Sequence, residues 1–76
     1  MYYIMKDNVI IAEGFQKSIF AEAAVHGFII GANGKKAINN YLITKYPDPN
    51  NHKVVHTCIY TNKNNMNDYF LIIKAD

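Results

Sequence analysis

The sequence contains no arginine, no tryptophan and a single cysteine, and these absences exclude several kinds of site. Without arginine, no side chain can clamp a phosphate or a guanine through two parallel hydrogen bonds, and lysine offers only point-charge contacts. The lone Cys58 excludes an internal disulfide and is typical of a reducing compartment. The apolar runs are too short to span a bilayer, and the first residues lack the pattern of a signal peptide. We therefore expect a cytoplasmic protein that does not contact a membrane.

Size and charge indicate one small domain with modest electrostatics, spanning residues 1–76. The 76 residues carry a net charge of +2, which is well short of the basic balance of a dedicated nucleic-acid binder. Half of them are hydrophobic, which is enough for a packed core. A chain of this length buries only about 60% of its unfolded surface, so a partner or a homodimer is expected to add stability. Abundant isoleucine, asparagine, lysine and tyrosine indicate a low-GC genome, and small genes with this bias are often phage or mobile-element genes.

The first half of the chain predicts a hairpin and a helix. Residues 2–6 and 9–12 are apolar-rich strands around Asp7 and Asn8, which tolerate positive φ and therefore favour a two-residue turn. A helix is predicted to begin near residues 16–18, with Ser18 as a candidate N-cap, and to end near residue 26. Its apolar stripe at helical spacing is formed by Ile19, Phe20, Ala23, Ala24 and Gly27.

The second half predicts another helix and two strands. The second helix covers residues 35–45, although Asn33-Gly34 between apolar runs also fits a hairpin turn. Two prolines within residues 46–51 break the chain, and strands follow over residues 53–61 and 69–74, the last in the centre of the sheet. The predicted fold class is α+β in ββααββ order, with two helices packed on one face of a three- or four-stranded, mostly antiparallel sheet.

A glycine-rich stretch separates the two predicted helices and reads Gly-Phe-Ile-Ile-Gly-Ala-Asn-Gly-Lys-Lys over residues 27–36. It resembles the core of KH domains, in which an Ile-Ile-Gly run precedes a Gly-x-x-Gly loop between two helices. The resemblance implies binding of single-stranded RNA or DNA, whose backbone such a loop clamps. The alternative is a plain turn with a left-handed residue at Asn33 or Gly34. The residues implied in nucleic-acid binding are Gly31, Asn33, Gly34, Lys35 and Lys36.

His56 and Cys58 share one face of a predicted strand about 7 Å apart, so both could reach one metal ion or act as base and nucleophile. His52 lies about 13 Å from His56 and cannot join them. Zinc sites need three or four ligands, and nothing else in the sequence suggests an oxyanion site. A buried structural cysteine beside a partly exposed histidine explains the pattern better. We predict no enzymatic activity, no metal and no cofactor.

The six tyrosines are many for this length, and those on exposed strand faces would anchor a protein partner. Alternatively, tyrosines fill the core or stack on bases. We interpret the chain as a non-enzymatic protein-binding module, similar in size and composition to phage inhibitors of the anti-CRISPR type. Its expected partner is a host protein or ribonucleoprotein complex, and the alternative is a KH-like binder of single-stranded RNA or DNA. The predicted interface residues are Tyr2, Tyr3, Tyr60 and Tyr69.

Overall fold

A computed structural model describes residues 1–36, 41–44, 53–62 and 64–75. Within these residues the chain forms five strands and one α-helix. No helix in this part of the chain is long and apolar enough to cross a bilayer. In chain order the elements are β1 (Tyr2–Lys6), β2 (Val9–Phe15), α1 (Ser18–Asn33), β3 (Tyr41–Thr44), β4 (Val54–Thr61) and β5 (Asn67–Lys74).

All the strands belong to one antiparallel sheet, in the order β2-β1-β5-β4-β3. The four longer strands make up most of it, and the four-residue β3 extends the edge next to β4. Strand β5 lies in the centre, as its nearly continuous apolar run predicts. The α+β class and the antiparallel sheet are therefore confirmed.

The predicted hairpin between β1 and β2 is confirmed. Asp7 and Asn8 have φ angles of 53° and 65°, the left-handed values that a two-residue turn requires and that these residue types tolerate. Beyond the turn, the pairing of β1 with β2 shifts register twice, and Gly14 adopts a φ of 86° beside the second shift. Strand β2 is thus a bulged edge strand, a form that discourages pairing with a further strand.

Asparagine side chains build the turn between β4 and β5. The Oδ1 atom of Asn62 accepts hydrogen bonds from the backbone amides of Asn64 at 3.0 Å and Met66 at 3.2 Å. Asn65 takes a left-handed φ of 61°, which asparagine tolerates better than most residues. The polar loop predicted here is therefore a defined turn that joins β4 to β5.

The predicted pair of helices is wrong. Helix α1 does not end near residue 26; it continues through Gly27 and Gly31 to Asn33. Residues 41–44, assigned to a second helix, form strand β3 instead. The alternative hairpin at Asn33-Gly34 is not formed either, because residues 28–33 are helical. The remaining part of the predicted second helix, residues 37–40 and 45, and the proline-rich segment 46–51 lie outside the described residues.

Helix α1 packs on one face of the sheet through Ala21, Val25 and Ile29, which are all buried. This inward stripe is not the predicted one, since Ile19 and Phe20 are more than half exposed. The N-cap is Lys17, in extended conformation and without a side-chain cap, and Ser18 is the first helical residue. The buried cluster under the helix comprises Ile4, Ala21, Val25, Ile29, Cys58, Tyr60, Phe70 and Ile72.

Candidate functional site

The sheet face opposite α1, called the distal face below, carries a second set of apolar side chains. Successive residues of a strand point to opposite faces, so Phe70 and Ile72 of β5 join the core while Tyr69 and Leu71 point away from it. Met5 of β1 is paired with Leu71 and completes this surface across the strands. The single sheet therefore separates a helix-covered core from an apolar face that carries no helix in the described part of the chain.

An open depression of about 630 Å³, called the groove, lies on the distal face. Its centre is apolar, and the ring of Tyr69, which is 51% exposed, stands at its side. Asp7 and Asn8 reach it because the tight β1–β2 turn ends beside β5. Apolar surface with an exposed aromatic ring and a polar rim is the anatomy of a protein-binding patch. The groove is lined by Met5, Asp7, Asn8, Thr57, Tyr69, Leu71 and Ile73.

Charge is sparse in the groove. Asp7 is the one charged side chain among the described residues that line it, and its Oδ2 atom lies 3.1 Å from the Nζ atom of Lys6. Lys6 belongs to the other face of the sheet, where its Nζ atom lies 5.9 Å from the centre of the Phe70 ring. The groove therefore presents a weakly acidic rim, which does not favour a phosphate backbone.

The four tyrosines predicted at an interface fall in different places. Tyr69 is exposed at the groove, and Tyr3 is half-buried on the same face, opposite Ile73. Tyr2 is half-buried against the core on the helix side. Tyr60 is only 4% exposed and belongs to the core, because β4 turns this position towards α1. Tyr60 is therefore removed from the predicted interface, and binding through Tyr3 and Tyr69 stays a prediction.

The residues predicted to bind nucleic acid do not form a loop between two helices. Gly31 and Asn33 lie in the last turn of α1, where the Nδ2 atom of Asn33 donates a hydrogen bond of 3.1 Å to the carbonyl of Ile29. Gly34 caps the helix with a φ of 86°, and its amide donates a 2.7 Å hydrogen bond to the carbonyl of Ile30. The alternative prediction, a plain turn with a left-handed residue at Asn33 or Gly34, is closer to this structure than the KH-like loop. The residue with positive φ is Gly34.

Lys35 and Lys36 are exposed directly after this cap. The KH-like interpretation places them at the amino end of a helix, where free amides attract anions. They instead follow the carboxyl end of α1, whose carbonyl groups carry partial negative charge. Lysines complement that end electrostatically, so their position has a structural explanation. Binding of RNA or DNA by these residues stays a prediction.

His56 and Cys58 lie on the helix side of β4. Cys58 is buried in the core, and the Nδ1 atom of His56 lies 3.0 Å from the Oε1 atom of Glu22 on α1. Across the described residues, no three histidine, cysteine or acidic side chains come together in a way that could hold a metal ion. His52 lies outside those residues. The contact to Glu22 was not predicted, although a lone acidic residue in an apolar helix is a signal that could have suggested it.

Most of the groove was also missed by sequence reasoning. The residues from Phe70 to Ile73 are all apolar, so the sequence indicated burial on both faces and did not distinguish the groove from the core. No family model matches this chain. No curated protein and no solved structure matches it either. Its function is therefore inferred from its own surfaces.

Proposed function

We propose that this protein is a small non-enzymatic binding module that holds an apolar segment of a partner protein in the groove. The observation that carries the proposal is the half-exposed ring of Tyr69 beside an apolar floor that includes Met5 and Leu71. Tyrosine is a frequent binding hot spot because it buries a large rigid surface and still offers a hydroxyl group. Asp7, Asn8 and Thr57 surround this centre with polar groups.

The groove suits a protein better than a small molecule or a nucleic acid. Small-molecule sites usually enclose most of the ligand surface, whereas this depression is open to solvent. A nucleic acid would place its phosphates near Asp7, with no lysine lining the groove among the described residues. The favoured partner segment presents one large apolar side chain to the floor and a lysine or arginine to Asp7.

The proposed partner is a host protein or a ribonucleoprotein complex, and the proposed action is inhibition of the anti-CRISPR type by occupation of the partner's surface. The support for this role is limited to the small size of the chain, its low-GC composition and the presence of an apolar groove without a catalytic pair in it. A module of this kind needs no chemistry of its own, because a bound domain blocks whatever normally contacts the same surface.

The test is purification of complexes from a host lysate, with and without nuclease, followed by affinity measurement with the purified partner. We expect Tyr69→Ala to weaken binding by roughly 30-fold, the effect of losing a hot spot of about 2 kcal/mol. Met66→Ala is the matched control, because Met66 is 66% exposed in the β4–β5 turn and does not line the groove. Equal affinities for wild type, Tyr69→Ala and Leu71→Ala would overturn the proposal, as would capture of nucleic acid without any partner protein.

A further inference from the structure

Asn33 and Gly34 form the one asparagine–glycine pair in the sequence, and this pair lies where α1 ends. In such a pair, the backbone nitrogen of the glycine can attack the side-chain carbonyl carbon of the asparagine, because glycine has no side chain to shield its nitrogen. Both residues are exposed, so water reaches them. The carboxyl end of α1 therefore brings together the groups that spontaneous deamidation requires.

We propose that Asn33 is a deamidation site and that the last turn of α1 keeps the reaction slow in the folded protein. In the first step, a hydroxide ion removes the amide proton of Gly34, and the nitrogen forms a bond to the Cγ atom of Asn33. The bond between Cγ and Nδ2 breaks, and the leaving nitrogen takes a proton from water and departs as ammonia. Water then opens the succinimide ring at either of its two carbonyl groups, which gives aspartate or isoaspartate.

Two hydrogen bonds hold the reacting groups in other positions. The Nδ2 atom of Asn33 donates a 3.1 Å bond to the carbonyl of Ile29, which holds the side chain against its own helix. The amide of Gly34 donates a 2.7 Å bond to the carbonyl of Ile30, so the proton that the base must remove is engaged. Ring closure requires both groups to leave these partners, and the last turn must therefore open first.

The last turn has features that allow it to open without unfolding the rest of the helix. The last buried residue of α1 is Ile29, and both Gly31 and Ala32 are exposed. Gly31 also lowers the helix propensity of this turn. Helix ends open locally at a smaller cost than global unfolding, so we expect slow deamidation in the folded chain, at a rate about tenfold or more below that of the unfolded chain.

Either product is expected to weaken the end of the helix. Aspartate at this position loses the donor to the carbonyl of Ile29 and adds a negative charge beside carbonyl groups that already carry partial negative charge. Isoaspartate inserts a methylene group into the main chain, which displaces the amide of Gly34 from the carbonyl of Ile30. The modified chain should therefore unfold at a lower urea concentration than the unmodified chain.

Tryptic digestion of the full chain isolates the site. Cleavage after Lys17 and Lys35 releases a fragment whose only asparagine is Asn33. The chain is incubated in buffer and in guanidinium chloride, and mass spectrometry of this fragment follows the conversion. Heavy-oxygen water marks the product, because ring opening takes one oxygen atom from the solvent. Asn8 is the internal comparator, since it is also exposed but is followed by Val9, whose branched side chain shields the nitrogen and should slow the reaction.

Two substitutions in the last turn test its protective role. Gly31→Ala raises the helix propensity and places its Cβ atom in open space, so it is expected to slow the reaction in the folded chain by about fivefold. Ala32→Gly has the opposite effect on helix propensity and should accelerate the reaction by about the same factor. Neither should change the rate in guanidinium chloride, where the turn is absent. Gly34→Ala should slow the reaction there as well, because its Cβ atom shields the attacking nitrogen.

Equal rates for Asn33 and Asn8 in the unfolded chain would overturn the assignment of the site. Equal rates for Asn33 in buffer and in guanidinium chloride would overturn its protection by the helix, as would unchanged rates for Gly31→Ala and Ala32→Gly in buffer. The deamidated chain is separated by ion exchange, and a urea midpoint equal to that of the unmodified chain would overturn the expected weakening. Tyr69→Ala should leave every rate unchanged, so this site and the groove are tested independently.

Discussion

The Nδ1 atom of His56 on β4 lies 3.0 Å from the Oε1 atom of Glu22 on α1, so strand and helix meet through one polar contact beside the core. The two side chains are only 14% and 16% exposed. The Nδ1 atom of His56 is buried and makes no hydrogen bond of good geometry within the described residues. The nearby Glu22 carboxylate is therefore the group that offsets the loss of water around this atom. This contact lies beside the inward stripe of Ala21, Val25 and Ile29.

Glu22→Ala is expected to lower the free energy of unfolding by about 1–3 kcal/mol, because it removes the carboxylate that lies 3.0 Å from a buried ring nitrogen with no other partner among the described residues. Urea denaturation followed by circular dichroism measures this change. Glu22→Gln keeps a hydrogen-bonding oxygen at nearly the same position, so it should lower the free energy of unfolding by less than Glu22→Ala does. Identical midpoints for wild type and Glu22→Ala would show that the contact does not contribute to stability.

Neighbouring residues of β5 should separate folding from binding. Ile72→Ala empties space in the core and is expected to cost about 2–5 kcal/mol of unfolding free energy. Leu71→Ala removes a half-buried side chain from the groove and should cost less stability but more affinity for the partner. Thermal or chemical unfolding measures the first effect and calorimetric titration the second. Equal stability losses would contradict the assignment of these two side chains to opposite faces.

Two glycine-to-alanine substitutions should change the free energy of unfolding in opposite directions. Gly34 has φ 86° and ψ 170°, a region that only glycine occupies readily, so Gly34→Ala is expected to destabilise the fold by about 1–3 kcal/mol. Gly27→Ala lies within α1 with open space around it and should stabilise the fold by up to about 1 kcal/mol. Urea unfolding at low protein concentration compares them. A stabilised Gly34→Ala variant would contradict the cap geometry.

The KH-like alternative is tested by substituting Lys35→Ala and Lys36→Ala together. Because both lysines follow the carboxyl end of α1, we expect affinity for single-stranded RNA to be weak and unchanged by the double substitution. Fluorescence anisotropy with a labelled oligonucleotide at two salt concentrations measures it, with Lys53→Ala as a control at another exposed lysine. Tight, salt-dependent binding that the double substitution abolishes would establish the alternative instead.

Strands β1, β2, β4 and β5 and the two turns that join them in pairs could be predicted because their signals are local. Asp7 and Asn8 predict a tight turn by their tolerance of positive φ, and the apolar run of β5 predicts a central strand. The mid-chain helices could not be predicted in this way. Glycines at positions 27 and 31 indicate a break, yet packing of Ala21, Val25 and Ile29 against the sheet outweighs their low helix propensity. Residues 41–44 fit a helical spacing, but pairing with β4 decides their conformation.

The site was harder to predict than the fold. The polar residues of α1 all fall on one side of the helix, opposite Phe20, so the sequence favours the stripe through Phe20 as the inward face and not the stripe through Val25 that the structure buries. The choice between them depends on long-range contacts such as that of Glu22 with His56. The groove likewise forms where the β1–β2 turn lies beside the distal face of β5. These segments are far apart in the sequence, so neither of them alone predicts the groove.

Strand β5 alternates between the two faces, and this restricts how the gene can change in length. Inserting or deleting one codon before Phe70 within the strand would send every following side chain to the opposite side, exchanging the core with the partner-binding surface. Such an insertion or deletion would disrupt the core and the partner-binding surface together, and no variant of this kind would keep only one of the two. Changes in length are therefore tolerable at the Asn62–Met66 turn, and natural variants of this chain should vary there while Asn67–Lys74 keeps a fixed number of residues.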